Sequence, residues 1–284
     1  MKTEKTFSLG GALTINRMGY GAMRITGKGI WGPPENKPEA LKVLKRAVEL
    51  GVNFIDTADS YGPYVSEELI AEALHPYPKG LIIGTKGGFL RSGPGEWNID
   101  SSPAHLKEAL HGSLKRLKLD TIDLYQLHRI DPKVPAEKTF VFLQQAQQEG
   151  KIKHIGLSEV SVEQIKMAQQ FFKVVSVQNM YSVSNRKWED VLEYCNAHNI
   201  AFIPWNPINA GNLEGLAALK KIAGLHNTGI QQIALSWLYH HSNNILLIPG
   251  TSSVAHLEEN IKSVLVELTE SDMKELDSLV AAKA

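Results

Sequence analysis

Eight short apolar runs recur along this chain, and longer amphipathic stretches separate them. That alternation limits the fold more than any other feature of the sequence. The runs are "MGYGAM" (18–23), "NFIDTA" (53–58), "GLIIGTK" (80–86), "TIDLYQLH" (121–128), "IKHIGLS" (152–158), "VVSVQNMYS" (174–182), "IAFIPW" (200–205) and "NILLIPG" (244–250). Helical patterns fill 38–50, 65–75, 102–118, 135–149, 161–171, 187–198 and a pair around 213–240. Strands that are apolar throughout, alternating with helices, predict a parallel sheet covered on its outside. Eight such units in about 250 residues fit a closed (β/α)₈ barrel of the TIM type. No Pro- or Ser-rich linker divides the chain, so residues 1–284 read as a single α/β domain.

The flanking segments fit the same plan. "TFSLGGALTIN" reads as a β-hairpin turning at Gly10-Gly11, placed to plug the barrel's N-terminal end. The tail 269–284 reads as a C-terminal helix against the outside. Ser102-Pro103 sets a cap residue before a first-position proline. Ser161 with Gln164, and Thr269 with Asp272, resemble capping boxes. Lys plus Arg and Asp plus Glu number 30 each, so net charge is zero and predicts neither a nucleic-acid partner nor a membrane surface. Cys195, the single cysteine, excludes an internal disulfide and a multi-cysteine zinc site, and reads as a buried small hydrophobe. No signal-peptide core or membrane-length apolar run is present, and a soluble cytoplasmic protein is expected. Oligomeric state is left open.

A barrel of this kind carries its chemistry at the C-terminal ends of its strands. There stand Asp56, Lys86 and His128, with Tyr61 in the loop after Asp56; Ser158, Gln178 and Asn179 follow on later strands. Taken singly, such residues are ordinarily solvated or structural. Together on one rim they make a coherent proton-transfer set. A phenol at its usual pKa of ~10 is a poor acid near neutrality. An ammonium at ~4 Å and an effective dielectric of ~20 attracts the phenolate by about 4 kcal/mol before desolvation. The expectation is therefore that Lys86 lowers the Tyr61 pKa, by up to roughly three units. Asp56 would hold Lys86 charged, and His128 would orient a carbonyl. Such a site protonates an oxygen as hydride reaches its carbon.

"FIDTADSYG", "IIGTK", "IDLYQLHRID", "GKIKHIGLSEVS", "VQNMYS" and "LIPGTSSVAHLEENI", in this order, resemble the aldo/keto reductase superfamily from about residue 7 to residue 280. The opening "GYGAMRITGKGIWGPP" is similar to a branch that includes bacterial pyridoxal reductases. The resemblance implies a (β/α)₈ barrel that binds NADPH without a Rossmann fold, with Asp56, Tyr61, Lys86 and His128 as its tetrad and Tyr61 as general acid. It implies nicotinamide-side contacts from Gly21, Ala22, Met23, Ser158 and Gln178, with Trp205 at the stacking position often held by Tyr. Glu159 stands where the family commonly has Asn. On the adenine side it implies Gly250, Thr251, Ser252, Ser253, His256, Glu259 and Asn260; a Ser/Thr helix start also suits a phosphate. Gly250 and His256 stand where many members carry Lys or Arg, so NADPH is expected from the family and NADH is left open.

The substrate would be a small carbonyl compound such as pyridoxal, a sugar or an aromatic aldehyde, met by Trp31, Arg129, the loop after His128 and the segments 87–98 and 206–213. Arg91 and Arg129 suit an anionic group, and Arg24 a phosphate. "GKGIWG" fits G-x-G-x-x-G in letters only, since no strand and helix enclose it. His240-His241 do not face one metal site. Glu67-Glu68 read as favourable charge in a first helical turn. Two other functions share these features: a Schiff-base aldolase using Lys86, and an NADPH-binding redox sensor without turnover.

Overall fold

The computed structural model describes residues 4–208 and 217–279. It opens with an antiparallel hairpin, β1 (Thr6–Leu9) and β2 (Leu13–Asn16), turned by Gly10 and Gly11 at φ 62° and 85°. The barrel strands follow as β3 (Tyr20–Gly21), β4 (Phe54–Asp56) and β5 (Ile82–Gly87). A small antiparallel pair, β6 (Phe89–Leu90) and β7 (Asn98–Ile99), then interrupts them. The barrel resumes with β8 (Ile122–Leu127), β9 (Ile152–Ser158), β10 (Val174–Gln178) and β11 (Ala201–Phe202). Seven strands form one parallel sheet in the order β11-β10-β9-β8-β5-β4-β3.

The expected eighth run does not form a ladder of its own. Residues 244–248 pair at one position on each side, with Phe202↔Ile245 and Met18↔Leu247 as parallel bridges. Four hydrogen bonds still close the circle: Phe202 N to Asn244 O and Leu246 N to Phe202 O at 2.9 Å each, Leu247 N to Arg17 O at 2.9 Å, and Gly19 N to Leu247 O at 2.7 Å. The neighbouring strands β3 and β11 are two residues long each, so there is too little partner for a longer ladder.

The helices are α1 (Lys37–Glu49), α2 (Val65–Leu74), α3 (Pro103–Leu117), α4 (Ala136–Gln148), α5 (Val162–Ala168), α6 (Glu189–Ala197), α7 (Ala217–Leu225), α8 (Ile230–His241), α9 (Val254–Lys262) and α10 (Glu270–Asp277). Ser102 caps α3, and Ser161 and Thr269 form the expected capping boxes. Parts of the expected helix pair (213–216), of the substrate-side stretch 206–213 (209–213) and of the last helix (280–284) lie outside the described residues. Among the described residues no helix is long and apolar enough to cross a membrane. Cys195 is fully buried in α6, where burial pushes its thiol up to about 12.

Strand parity sets what faces the barrel interior. Phe54, Ile82 and Leu124 join the hairpin's Phe7, Leu9 and Ile15 in one apolar cluster. Their odd neighbours Ile55 and Ile83 pack toward the helices instead. The hairpin thus plugs the N-terminal end, as its composition predicts. Two residues further along the same strands, the interior positions become Asp56, Gly84, Gln126 and then Lys86 and His128. The apolar floor therefore hands over to a polar cup within one or two residue pairs.

Arg17 locks the floor. It is fully buried, and its guanidinium donates to the carbonyls of Glu4, Tyr239, Ser242 and Ile245 while lying 4.4 Å from the Tyr239 ring centroid. Burial pulls its pKa down to about 10, which still leaves it charged at neutral pH. Each carbonyl left buried and unpaired costs ~1–3 kcal/mol, so Arg17→Met should lower unfolding stability by about 3 kcal/mol or more, read as a fall in the urea midpoint.

Candidate active site

The polar cup is organised around Lys86. Its ammonium has no solvent exposure and donates to Asp56 Oδ2 at 2.6 Å and to the Thr57 carbonyl at 2.8 Å. The Tyr61 hydroxyl lies 3.5 Å away, and the ammonium sits 5.1 Å from the centre of that ring. Asp56 Oδ1 accepts from Gln126 Nε2 at 2.9 Å and from Gln178 Nε2 at 3.0 Å. The His128 ring packs edge-on to Tyr61, 5.9 Å between centroids, with Nδ1 3.4 Å from Ser60 Oγ. The four residues expected on the rim are thus brought together.

The electrostatics depart from the sequence expectation at one point. Tyr61 is nearly buried, and burial raises its pKa; the Lys86 charge lowers it, Asp56 raises it, and the net direction is upward. The cation does not win because burial of the phenol outweighs it, and the Asp56 charge adds to burial. Burial alone would pull Lys86 down, but Asp56 and Tyr61 together raise it above the ordinary lysine value. Burial, Lys86 and Arg129 push His128 well below the ordinary histidine range, so its imidazole is neutral near pH 7.

The remaining candidates are placed as follows. Ser158 Oγ donates to Gln178 O at 2.8 Å and accepts from Arg129 Nη1 at 3.0 Å; Arg129 also donates to His128 O at 2.6 Å. Trp205 lies beside them, its indole N–H held by Glu159. Gly21 ends β3, and Ala22 and Met23 start a short 3-10 turn, Ala22–Ile25. Gly250 faces Gly21 so closely that a Cβ on Gly250 would come 2.8 Å from Gly21 O and 3.5 Å from the Arg24 stem. Thr251 O accepts from Tyr20 at 2.6 Å, and Ser253 precedes α9 without capping it through its side chain. Ser252, His256 and Glu259 are exposed, and Asn260 is buried. At the same helix start Val254 N donates to Glu39 Oε1 at 3.2 Å.

Four residues carry roles that the sequence reading missed or read differently. Gln126 was findable: it lies two positions before His128 and so shares its face. Glu67 stands in the first turn of α2 but is buried, accepting from Thr85 Oγ1 at 2.6 Å and pairing with Arg116 at 2.7 Å. Asp59 is buried, its backbone N–H donating to Lys86 O at 3.2 Å, and burial together with Glu67 holds its carboxyl well above the carboxylate range. Arg91 is not a free cation for substrate. It donates to the carbonyls of Gly29, Ile30, Ser60, Gly93 and Glu96 and lies 3.7 Å from the Trp97 ring centroid and 5.7 Å from that of Trp31.

Those contacts make a wall beside the cup. Gly32 N donates to Gly62 O at 2.6 Å, which lays the Trp31 loop along the Tyr61 loop. Trp97 meets Tyr61 at 6.4 Å and Phe89 at 5.3 Å, and Phe89 meets His128 at 4.6 Å, all edge to face.

The match to known proteins follows this geometry. Residues 17–281 match the Aldo/keto reductase family. The chain belongs to that family. It is therefore an oxidoreductase of carbonyl and CH–OH groups that works with NADP(H). An uncharacterized oxidoreductase of Schizosaccharomyces pombe is 51% identical over 94% of this chain and 87% of its own length. Pyridoxine 4-dehydrogenase of Escherichia coli is 40% identical over 98% of this chain and 99% of its own. The glycerol dehydrogenase structure from Gluconobacter oxydans superposes with a TM-score of 0.88 at 26% identity, covering 98% and 95% of the two chains, and supports the (β/α)₈ barrel.

Arg91 binds three loops through carbonyls, and removing it leaves Trp31 and Trp97 without a common anchor. Arg91→Ala should raise KM for carbonyl substrates about tenfold, with a smaller change in kcat, if the wall it anchors contributes uniform binding rather than transition-state binding. Steady-state kinetics on the variant and the parent check this.

Proposed function

We propose that this chain, as one barrel domain spanning residues 1–284, reversibly reduces an aldehyde or ketone to an alcohol, with Tyr61 as general acid. The carrying observation is the continuous chain of contacts Gln126–Asp56–Lys86–Tyr61, ending at a phenol beside a neutral imidazole. NADPH, when bound, supplies the hydride. The residues present fit it. Gly21 and Gly250 offer backbone packed too closely for any Cβ, with the Arg24 stem beside Gly250; Thr251, Ser252 and Ser253 follow Gly250 directly and supply hydroxyls, and Trp205 is held by Glu159, the residue after Ser158. To the same cradle we assign His256, Glu259 and Asn260 on α9, with Ala22 and Met23 in the 3-10 turn after β3.

The chain's own groups then divide the work. His128, uncharged, donates one ring N–H to the substrate oxygen and fixes which way the carbonyl faces. Tyr61, protonated, gives its proton to that oxygen as negative charge develops there. Lys86 meets the charge left on the phenolate, and Asp56 keeps Lys86 in place and ionised. In alcohol oxidation the same proton returns to Tyr61.

For substrate we propose a planar heteroaromatic aldehyde of the pyridoxal type. Its ring suits the wall of Phe89, Trp97 and Trp31, and the Escherichia coli relative acts on pyridoxine by its name. Small sugars and aromatic aldehydes belong on the same panel, and Arg129 would favour an anionic substituent. A cytoplasmic setting suits a single buried thiol and a reduced coenzyme. The aldolase reading is disfavoured because Lys86 is a buried, ion-paired ammonium and not a free amine. The sensor reading is disfavoured by the intact contact chain.

NADPH oxidation across an aldehyde and ketone panel, pyridoxal included and repeated with NADH, tests the substrate. Tyr61→Phe should lower turnover at least ~10²-fold, the lower range for a lost general acid, with NADPH affinity unchanged. Full activity in that variant would remove Tyr61 from its role. The acid form of Tyr61 persists below its raised pKa, and His128 is neutral down to well below 6.5. Reductive kcat/KM should therefore stay flat across neutral pH, with no inflection near 6.5, and fall only in strong alkali.

A further inference from the structure

The residue after Ser158 is the least expected member of the rim. Glu159 has φ 53°, a left-handed conformation that Asn, Asp and His tolerate better than Glu. Its backbone N–H donates to Gln178 O at 3.1 Å. One carboxylate oxygen, Oε1, accepts from both the Trp205 indole N–H at 2.7 Å and Met180 N at 2.6 Å. The backbones of Met180 and Trp205 are themselves bridged, with Trp205 N donating to Asn179 O at 3.1 Å. The carboxylate is thus immobilised on the edge of the indole.

Both donors to Glu159 Oε1 are neutral N–H groups, so neither brings a compensating charge to it. The Lys86 charge is already compensated by Asp56. Arg129, the other nearby cation, is held by His128 O and Ser158 Oγ; it makes no direct ion pair with Glu159, although the Glu159 charge partly offsets the effect of burial on it. The rim therefore carries a fixed anion on the Trp205 side and a fixed cation on the His128 side.

We propose that Glu159 sets the redox poise of the coenzyme, as a fixed anion beside the nicotinamide that stabilises its oxidised, cationic ring over its neutral, reduced one. The inference rests on the reading above that Trp205 faces the nicotinamide. The sign follows from charge. An anion near the ring favours NADP+ and makes bound NADPH a stronger hydride donor, so it biases the bound equilibrium toward the alcohol. Glu159 is a positioning residue for Trp205 and an electrostatic one for the coenzyme, and the two roles separate in the Glu159→Gln variant. Gln keeps an acceptor for the indole and removes the charge.

The test titrates the full chain with NADP+ and, separately, with NADPH, following bound nucleotide by calorimetry. In Glu159→Gln the ratio Kd(NADP+)/Kd(NADPH) should rise about tenfold over the parent, a shift of about 30 mV in the bound two-electron couple. Glu159→Asn, which suits the left-handed backbone, should give a rise of the same sign and keeps the test open if the Gln variant does not fold. An unchanged ratio, with both constants moving by one factor or not at all, overturns the proposal and leaves a purely structural role. A parent protein that binds neither nucleotide overturns the coenzyme reading and this inference with it.

Discussion

An ammonium group without water around it dictates the arrangement of the cup. Lys86 is wholly enclosed, and an isolated charge at such a place would be several kcal/mol unfavourable. It persists because Asp56 and the Thr57 carbonyl take two of its hydrogens and the Tyr61 oxygen lies on a third side. Asp56 is in turn saturated by two glutamine amides from β8 and β10, strands that do not adjoin its own. Charge compensation therefore spreads across β4, β5, β8 and β10, and the site is as rigid as the sheet that carries it. Its members lie 30, 70 and 122 positions apart in sequence, so only the closed sheet assembles them.

The rule that a barrel carries its chemistry at its strand ends made most of this legible beforehand. Once Asp56, Lys86 and His128 are taken as strand ends, period-two alternation sends all three inward, and Gln126 follows by the same count. What parity does not carry is competition between interactions. Tyr61 was expected to be acidified by its cation, yet enclosure and the counter-ion decide otherwise; nothing in "DTADSYG" tells how much water reaches the phenol. Arg91, Arg17 and Glu67 were opaque for a related reason. Their partners are main-chain carbonyls or residues on other elements, and a carbonyl leaves no mark in a sequence. The eighth strand was visible as an apolar run, but not that its neighbours are too short to ladder with it.

The rim of this chain also leaves little to loops acting independently. The Trp31 segment, the short β6–β7 hairpin and the Tyr61 loop are all tied through one guanidinium, so the aromatic wall beside the cup is a unit rather than three independent flaps. Swapping a loop here without its carbonyl contacts would alter more than the residues exchanged.

The circle of strands closes at its thinnest point where residues 17–21 meet 244–250. Single bridges hold that seam on either side, and there Gly21 and Gly250 touch backbone to backbone. A dinucleotide lying over those two glycines would act as a clasp across the seam. Resistance to heat and to proteolysis would then depend on nucleotide supply, growing with the logarithm of its concentration over its dissociation constant. The lifetime of the chain in a cell would follow the size of the nucleotide pool as well as the strength of the fold.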